Sequence, residues 1–143
     1  MKDQLDTLGK LAAIRQMRVR QMLGRVQYQR NLCQRYRNNI SGLNRLSEYV
    51  GGTETGLHRL NQQQYKTNLY KMIDLQRREL ATAEEHLQRL QDDLLRAMRS
   101  EKALEQFIDT KAEEWNRELA RQEQKIQDAL ASQSWWRGAS TGT

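Results

Sequence analysis

The sequence predicts an all-α fold, a long two-helix antiparallel coiled-coil hairpin, on three observations. Its 143 residues include no proline, so nothing forces a break in a helix. Apolar residues return every three or four positions in two long runs, as they do on a helix with one buried stripe. Between the runs lies Gly51-Gly52-Thr53-Glu54-Thr55-Gly56, where glycine lets the backbone reverse at low steric cost. A single coiled-coil domain over residues 1–143 is expected. Helix one falls at about 3–50, the turn at 51–56, helix two at about 57–133 and a polar tail at 134–143.

The first run is Leu5, Leu8, Ala12, Arg15, Val19, Met22, Val26, Gln29, Cys33, Tyr36, Ile40, Leu43, Ser47 and Val50, with eleven of fourteen positions apolar. The second is Leu69, Ile73, Gln76, Leu80, Ala83, Leu87, Leu90, Leu94, Ala97, Glu101, Leu104, Ile108, Lys111 and Trp115, again with eleven apolar. Steps alternating between three and four average about 3.5, which holds one stripe against a partner helix and imposes left-handed supercoiling. Reversal about residues 51–56 sets Val50 opposite Arg59, Tyr36 opposite Ile73, Val26 opposite Ala83 and Met22 opposite Leu87. Farther along, Val19 meets Leu90, Ala12 meets Ala97 and Leu5 meets Leu104. Both stripes stay in phase along this pairing, which favours one folded-back chain over two independent helices. Flanking positions bring together Arg18 and Asp93, Arg25 and Glu79, and Arg30 and Glu84.

At a rise of about 1.5 Å per residue, helix one spans roughly 70 Å and helix two roughly 115 Å. Helix two therefore overhangs from about residue 105, yet the overhang still carries Phe107, Ile108, Trp115, Leu119, Ile126 and Leu130. An isolated helix gains nothing from an apolar stripe that stays in water, so a partner is expected to cover it. Trp135 and Trp136 add an aromatic pair inside the polar tail.

Composition limits function. Hydrophobic residues make up 37% and charged residues 29% of the chain, with one phenylalanine; this suits a narrow seam better than a globular core. Cys33 is the single cysteine, so no internal disulfide forms, and its place in the seam reads as packing. Residues 1–10, MKDQLDTLGK, lack the apolar stretch of a signal peptide, and no run reaches the ~18 apolar residues of a membrane span. A soluble protein is expected.

The net charge of +6 is uneven: residues 1–50 hold ten basic residues against three acidic, while residues 57–143 hold fourteen of each. Such a strip serves nucleic acid, anionic lipid or an acidic protein, or balances acidic flanks on the second helix. The glycine stretch lacks the Gly-Lys-Ser/Thr ending of a nucleotide loop. His58 and His86 have no ligands at metal spacing, and Glu84-Glu85 and Asp92-Asp93 diverge around the helix axis. No catalytic residues, metal site or cofactor are expected.

Four segments carry a family resemblance: Asn61-Gln62-Gln63-Gln64-Tyr65; residues 73–80, IDLQRREL; residues 102–108, KALEQFI; and residues 123–130, EQKIQDAL. With the hairpin layout, they make the chain resemble the bacterial flagellar export protein FliJ and its type III secretion counterparts over nearly its whole length. The resemblance implies a non-enzymatic coiled-coil stalk of the protein export apparatus, similar to the axle of rotary ATP synthases. Implied partners are the hexameric export ATPase, the cytoplasmic domain of the export gate, and export chaperones. The implied place is the cytoplasm, peripheral at the inner face of the cell membrane, in motility and chemotaxis. ATPase contact maps to Phe107, Ile108, Trp115, Leu119, Ile126 and Leu130 with the N-terminal turns. Gate contact maps to Tyr65, Leu69, Met72 and Gln76, although the seam reading claims Leu69 and Gln76 for packing. On the first helix Leu43, Leu46 and Tyr49 are candidates.

Two other readings are open from the residues. One is a basic coiled-coil nucleic-acid-binding protein acting through Arg18, Arg20, Arg25, Arg30, Arg35 and Arg37; these sit on several faces without aromatic stacking platforms, and no nucleic-acid partner is expected. The other is a structural coiled coil that associates with itself through the overhang.

Overall fold

The computed structural model describes residues 1–49 and 56–141. They form two helices, α1 (Lys2–Tyr49) and α2 (Gly56–Thr141), of 48 and 86 residues. Val50 and the expected turn at 51–55 lie outside the described residues, and Gly56 opens α2. No strand occurs among the described residues. The two helices pack against each other as an antiparallel coiled-coil hairpin.

Helix α2 does not stop near residue 133. It runs through Trp135, Trp136 and Gly138 to Thr141, so the described part of the expected polar tail is helical. Without proline, the single Gly138 weakens the helix by only about 1 kcal/mol relative to alanine, which is too little to end it.

Both helices contribute to each of two compact units, Met17–Met98 and Met1–Gln16 with Arg99–Thr143. In Met17–Met98, Val19, Val26 and Leu94 form a buried cluster, with Met22, Leu87, Leu90 and Ala97 packed around it. Toward the turn, Cys33, Leu69, Ile73 and Ala83 are buried as well. In the second unit Leu104 is buried, and Leu5, Leu8, Ala12 and Ile108 are half-buried. Every seam position named above that the structure describes is buried or half-buried. The 3.5-residue spacing therefore identified the packed face of both helices.

One seam residue is polar and fully packed. Gln29 is 6% exposed and its Nε2 donates to the Ala83 carbonyl oxygen at 3.0 Å. That carbonyl can also accept its own intrahelical bond, because a carbonyl oxygen offers two lone pairs. The side-chain amide is thus satisfied without breaking the α2 ladder, and it favours one register over neighbouring ones.

Polar contacts across the seam reach a few residues farther along α2 than direct opposition places them. Gln29 bonds Ala83, Asn39 Nδ2 donates to Gln76 Oε1, and Arg15 Nη1 donates to Ser100 Oγ at 2.9 Å. Side chains lean toward the N-terminus of their own helix, which against an antiparallel partner means toward higher numbers. One ion pair differs from the sequence expectation. Glu84 pairs with Arg37 at 2.9 Å, rather than with Arg30. Both groups are about half exposed, and an exposed pair of this kind contributes about 0–1 kcal/mol.

Candidate partner-binding surfaces

In the unit formed by Met1–Gln16 and Arg99–Thr143, α1 covers α2 farther than the arm lengths suggest. Ile108, Lys111, Ala112 and Trp115 are still half-buried, and Met1 lies beside Glu114, Arg117, Glu118 and Arg121. The uncovered overhang therefore begins after Trp115, not near residue 105. The cause is the offset in register together with an α1 that starts at Lys2. From Asn116 to Ser140 every residue is exposed.

Of the six residues expected to face an ATPase, Leu119, Ile126 and Leu130 project from this bare helix, with the latter two about 60% exposed. Trp115 stands half-covered at its start. Ile108 belongs to the seam, whereas Phe107 sits outside it, about half exposed, with Lys111 Nζ 5.6 Å from its ring centroid. That ammonium also reaches Glu114 at 3.3 Å. At about 100° per residue, Trp115, Leu119, Gln122, Ile126 and Leu130 fall within about 80° of arc, forming one stripe.

Phe107 also borders a groove of about 460 Å³ between the first two turns of α1 and the Phe107–Lys111 turn of α2, lined by Met1, Leu5 and Leu8 among others. Beyond the stripe, Trp135 and Trp136 pack edge to face, centroids 5.4 Å apart and planes 82° apart. Both are 66% exposed. The sequence singled out this pair without assigning it a role.

The unit Met17–Met98 carries the residues expected to face the export gate, and the structure divides them. Leu69 is 4% exposed and Gln76 is half-buried, accepting the bond from Asn39 at 3.3 Å. Tyr65 and Met72 are exposed. The conflict between the two readings of this stripe thus resolves in favour of the seam for Leu69 and Gln76. On α1, Leu43 is half-buried while Leu46 and Tyr49 are exposed. Leu46, Tyr65 and Met72 all occupy the heptad position just before an inner seam residue (Ser47, Lys66 and Ile73), and such positions lie along one edge of an antiparallel pair. Tyr70 and Leu75 are exposed apolar residues nearby that the sequence reading passed over. Their signal was an aromatic and a leucine outside the seam, indistinguishable by period from scattered surface apolars.

The other chemistry-bearing residues are engaged in ordinary helix-surface contacts. Arg89 pairs with Glu85 at 2.9 Å, and Gln88 donates to Asp92. Cys33 is completely buried. Arg18, Arg20, Arg25, Arg30, Arg35 and Arg37 are all exposed and distributed around α1. Among the described residues, no group of three or more His, Cys, Asp or Glu side chains is placed to hold a metal, and no helix is long and apolar enough to cross a membrane.

In comparison with known proteins, the family model described as flagellar FliJ protein aligns with residues 2–140. No curated protein and no solved structure matches the chain.

Proposed function

The chain belongs to the flagellar FliJ family, a non-catalytic component of the flagellar protein export apparatus, and from that premise we propose that it couples two larger assemblies. Its overhang docks on the hexameric export ATPase, and its turn-proximal edge meets the cytoplasmic domain of the export gate. It assists the cycling of export chaperones and works peripherally at the inner face of the cell membrane. The observation that carries this reading is the bare apolar stripe of Leu119, Ile126 and Leu130, headed by Trp115.

The energetics favour a partner there. Burying one aliphatic side chain stabilises by about 1.5–3 kcal/mol, so three aliphatics and a tryptophan offer a docking protein enough to offset ordering an already helical segment. Phe107 and Ile108 extend the surface toward the N-terminal turns. At the gate, Tyr65 and Met72 make the contact together with Leu46 and Tyr49, residue types that suit interface cores. Leu69 and Gln76 act from beneath, fixing the helix that displays them.

The test is retention of the chain by immobilised export ATPase. Trp115→Ala/Ile126→Ala should lose most of the binding, while Tyr65→Ala/Met72→Ala should keep it and lose binding to the gate domain instead. Undiminished ATPase retention by the first double variant would remove the overhang as the docking surface.

A further inference from the structure

Along one edge of the unit Met17–Met98 runs a groove of about 740 Å³ that neither the ATPase nor the gate contact uses. Its α1 side is Gln21, Gly24, Arg25 and Tyr28, and its α2 side is His86 and the half-buried Leu90. Met17, Gln21, Gly24 and Tyr28 step four, three and four, so they form a line on the face of α1 beside its seam. All four are exposed, and at the two ends of the line Met17 and Tyr28 are 62% and 64% exposed.

Gly24 has no role in the packing of the hairpin. A Cβ built on it meets no atom within 4 Å, and glycine is the poorest helix former after proline. What it does is leave a dip in α1 between Met17 and Tyr28, where another backbone can approach closely. Walls spaced three and four residues apart are those that receive a side chain from a second helix. Leu90 gives the adjoining groove an apolar floor.

The rim of the dip is positively charged and unneutralised. Arg18, Arg20 and Arg25 are exposed around it. The sequence set Arg18 beside Asp93 and Arg25 beside Glu79, yet neither pair forms. The ion pairs among the described residues of this unit are Arg37–Glu84, Arg78–Asp74 and Arg89–Glu85. Along α1 no acidic residue occurs between Thr7 and Ser47, so the three guanidinium groups are free to bind carboxylates from outside, as Arg does with strong charge-assisted bonds. A second copy of this face would set arginine against arginine. A nucleic acid would answer the charge and leave the apolar dip empty. A helix with one apolar and one acidic edge answers both.

We propose that this edge docks an acidic amphipathic helix of a second protein. That helix crosses α1 over Gly24, seats an apolar side chain in the dip, and turns carboxylates toward Arg18, Arg20 and Arg25. The Tyr28 hydroxyl and the His86 imidazole border the same groove and add hydrogen-bonding capacity. None of these residues belongs to the surfaces assigned to the ATPase and the gate, so losing this contact leaves those two intact.

The experiment titrates the purified full chain into a labelled, stapled helical peptide of about three heptads, with leucine at the inner positions and glutamate on both flanks. Fluorescence anisotropy should give a dissociation constant of roughly micromolar size, rising with salt, and the same peptide with lysine flanks should not bind. Arg18→Glu/Arg25→Glu should weaken binding at least roughly tenfold. Arg30→Glu/Arg45→Glu, the same charge change at exposed arginines outside the groove, should alter it less than about twofold. Gly24→Leu should abolish binding by filling the dip while raising the melting temperature, because leucine is the better helix former. The proposal is overturned if the acidic peptide does not bind, if the two arginine pairs matter equally, or if Gly24→Leu binds as well as the parent. Capture of a DNA duplex or of phosphatidylglycerol vesicles that depends on Arg18 and Arg25 but ignores Gly24→Leu would also overturn it, in favour of a general anion surface.

Discussion

Two stretches of the same helix α2 have similar apolar content and opposite surroundings. From Leu69 to Trp115 the apolar stripe is buried against α1; from Leu119 onward a comparable stripe is bare. Their spacing differs as well. The covered stretch steps four and three in alternation; continued past Trp115, that alternation falls on Glu118, Gln122 and Lys125, all polar. A heptad stripe serves a partner helix only while its inner positions stay largely apolar. The loss of the pattern after Trp115 therefore marks where the chain stops being its own partner.

The largest effect expected from this contrast is at Leu94. It is 9% exposed and belongs to the cluster with Val19 and Val26. Leu94→Ala should destabilise folding by about 2–4 kcal/mol, the usual cost of emptying a leucine site that collapses only partly. Thermal unfolding followed by circular dichroism measures it. A loss under about 1 kcal/mol would mean that the cluster contributes little and that helix propensity holds the hairpin.

A smaller effect of opposite sign is expected at Gln29. Its amide is satisfied by Ala83, but a leucine there would add apolar burial while the Ala83 carbonyl keeps its intrahelical bond. Gln29→Leu should therefore raise stability by about 1 kcal/mol, with some loss of register discrimination, as when a polar residue is removed from a coiled-coil core. A fall in melting temperature would show that the buried hydrogen bond outweighs the added packing.

These two sites also show what was legible in the sequence. The seam was readable because helical period and burial are one geometric fact, so even polar members such as Arg15, Gln29 and Gln76 fell on the packed face. The offset along the seam was not, because shifting an antiparallel heptad pair by one step leaves both stripes in contact. Side-chain lean decides between such steps, and it carries the cover of α2 on to Trp115. The helical continuation to Thr141 was hidden by small polar residues whose individual propensities are weak. At the gate-facing edge, residue type alone could not separate Leu69 from Met72; only their seam positions do, and the structure places Leu69 inside and Met72 outside.

A third expectation is smaller again and local. Gly9 and Gly42 lie within α1, and a Cβ built on either meets no atom within 4 Å. Alanine at each position should stabilise by about 0.5–1 kcal/mol through helix propensity and a less free unfolded chain. Gly9→Ala/Gly42→Ala should then melt at a higher temperature than the parent. No increase would indicate that fraying at the ends of α1, rather than these interior glycines, limits its stability.

The smallest effect is expected where the Leu94 substitution is repeated on the part of α2 that α1 does not cover. Leu130 is 59% exposed on a segment where every residue from 116 to 140 is exposed. Leu130→Ala removes the same atoms as Leu94→Ala but leaves no cavity, and alanine is at least as good a helix former as leucine. Measured in dilute solution, where association is negligible, its effect on unfolding should stay within about 0.5 kcal/mol of zero. The same variant should lose affinity for whatever covers the overhang. If Leu130→Ala lowered stability as much as Leu94→Ala in the dilute monomer, the chain itself would be burying this segment, and the division of α2 at Trp115 would be wrong.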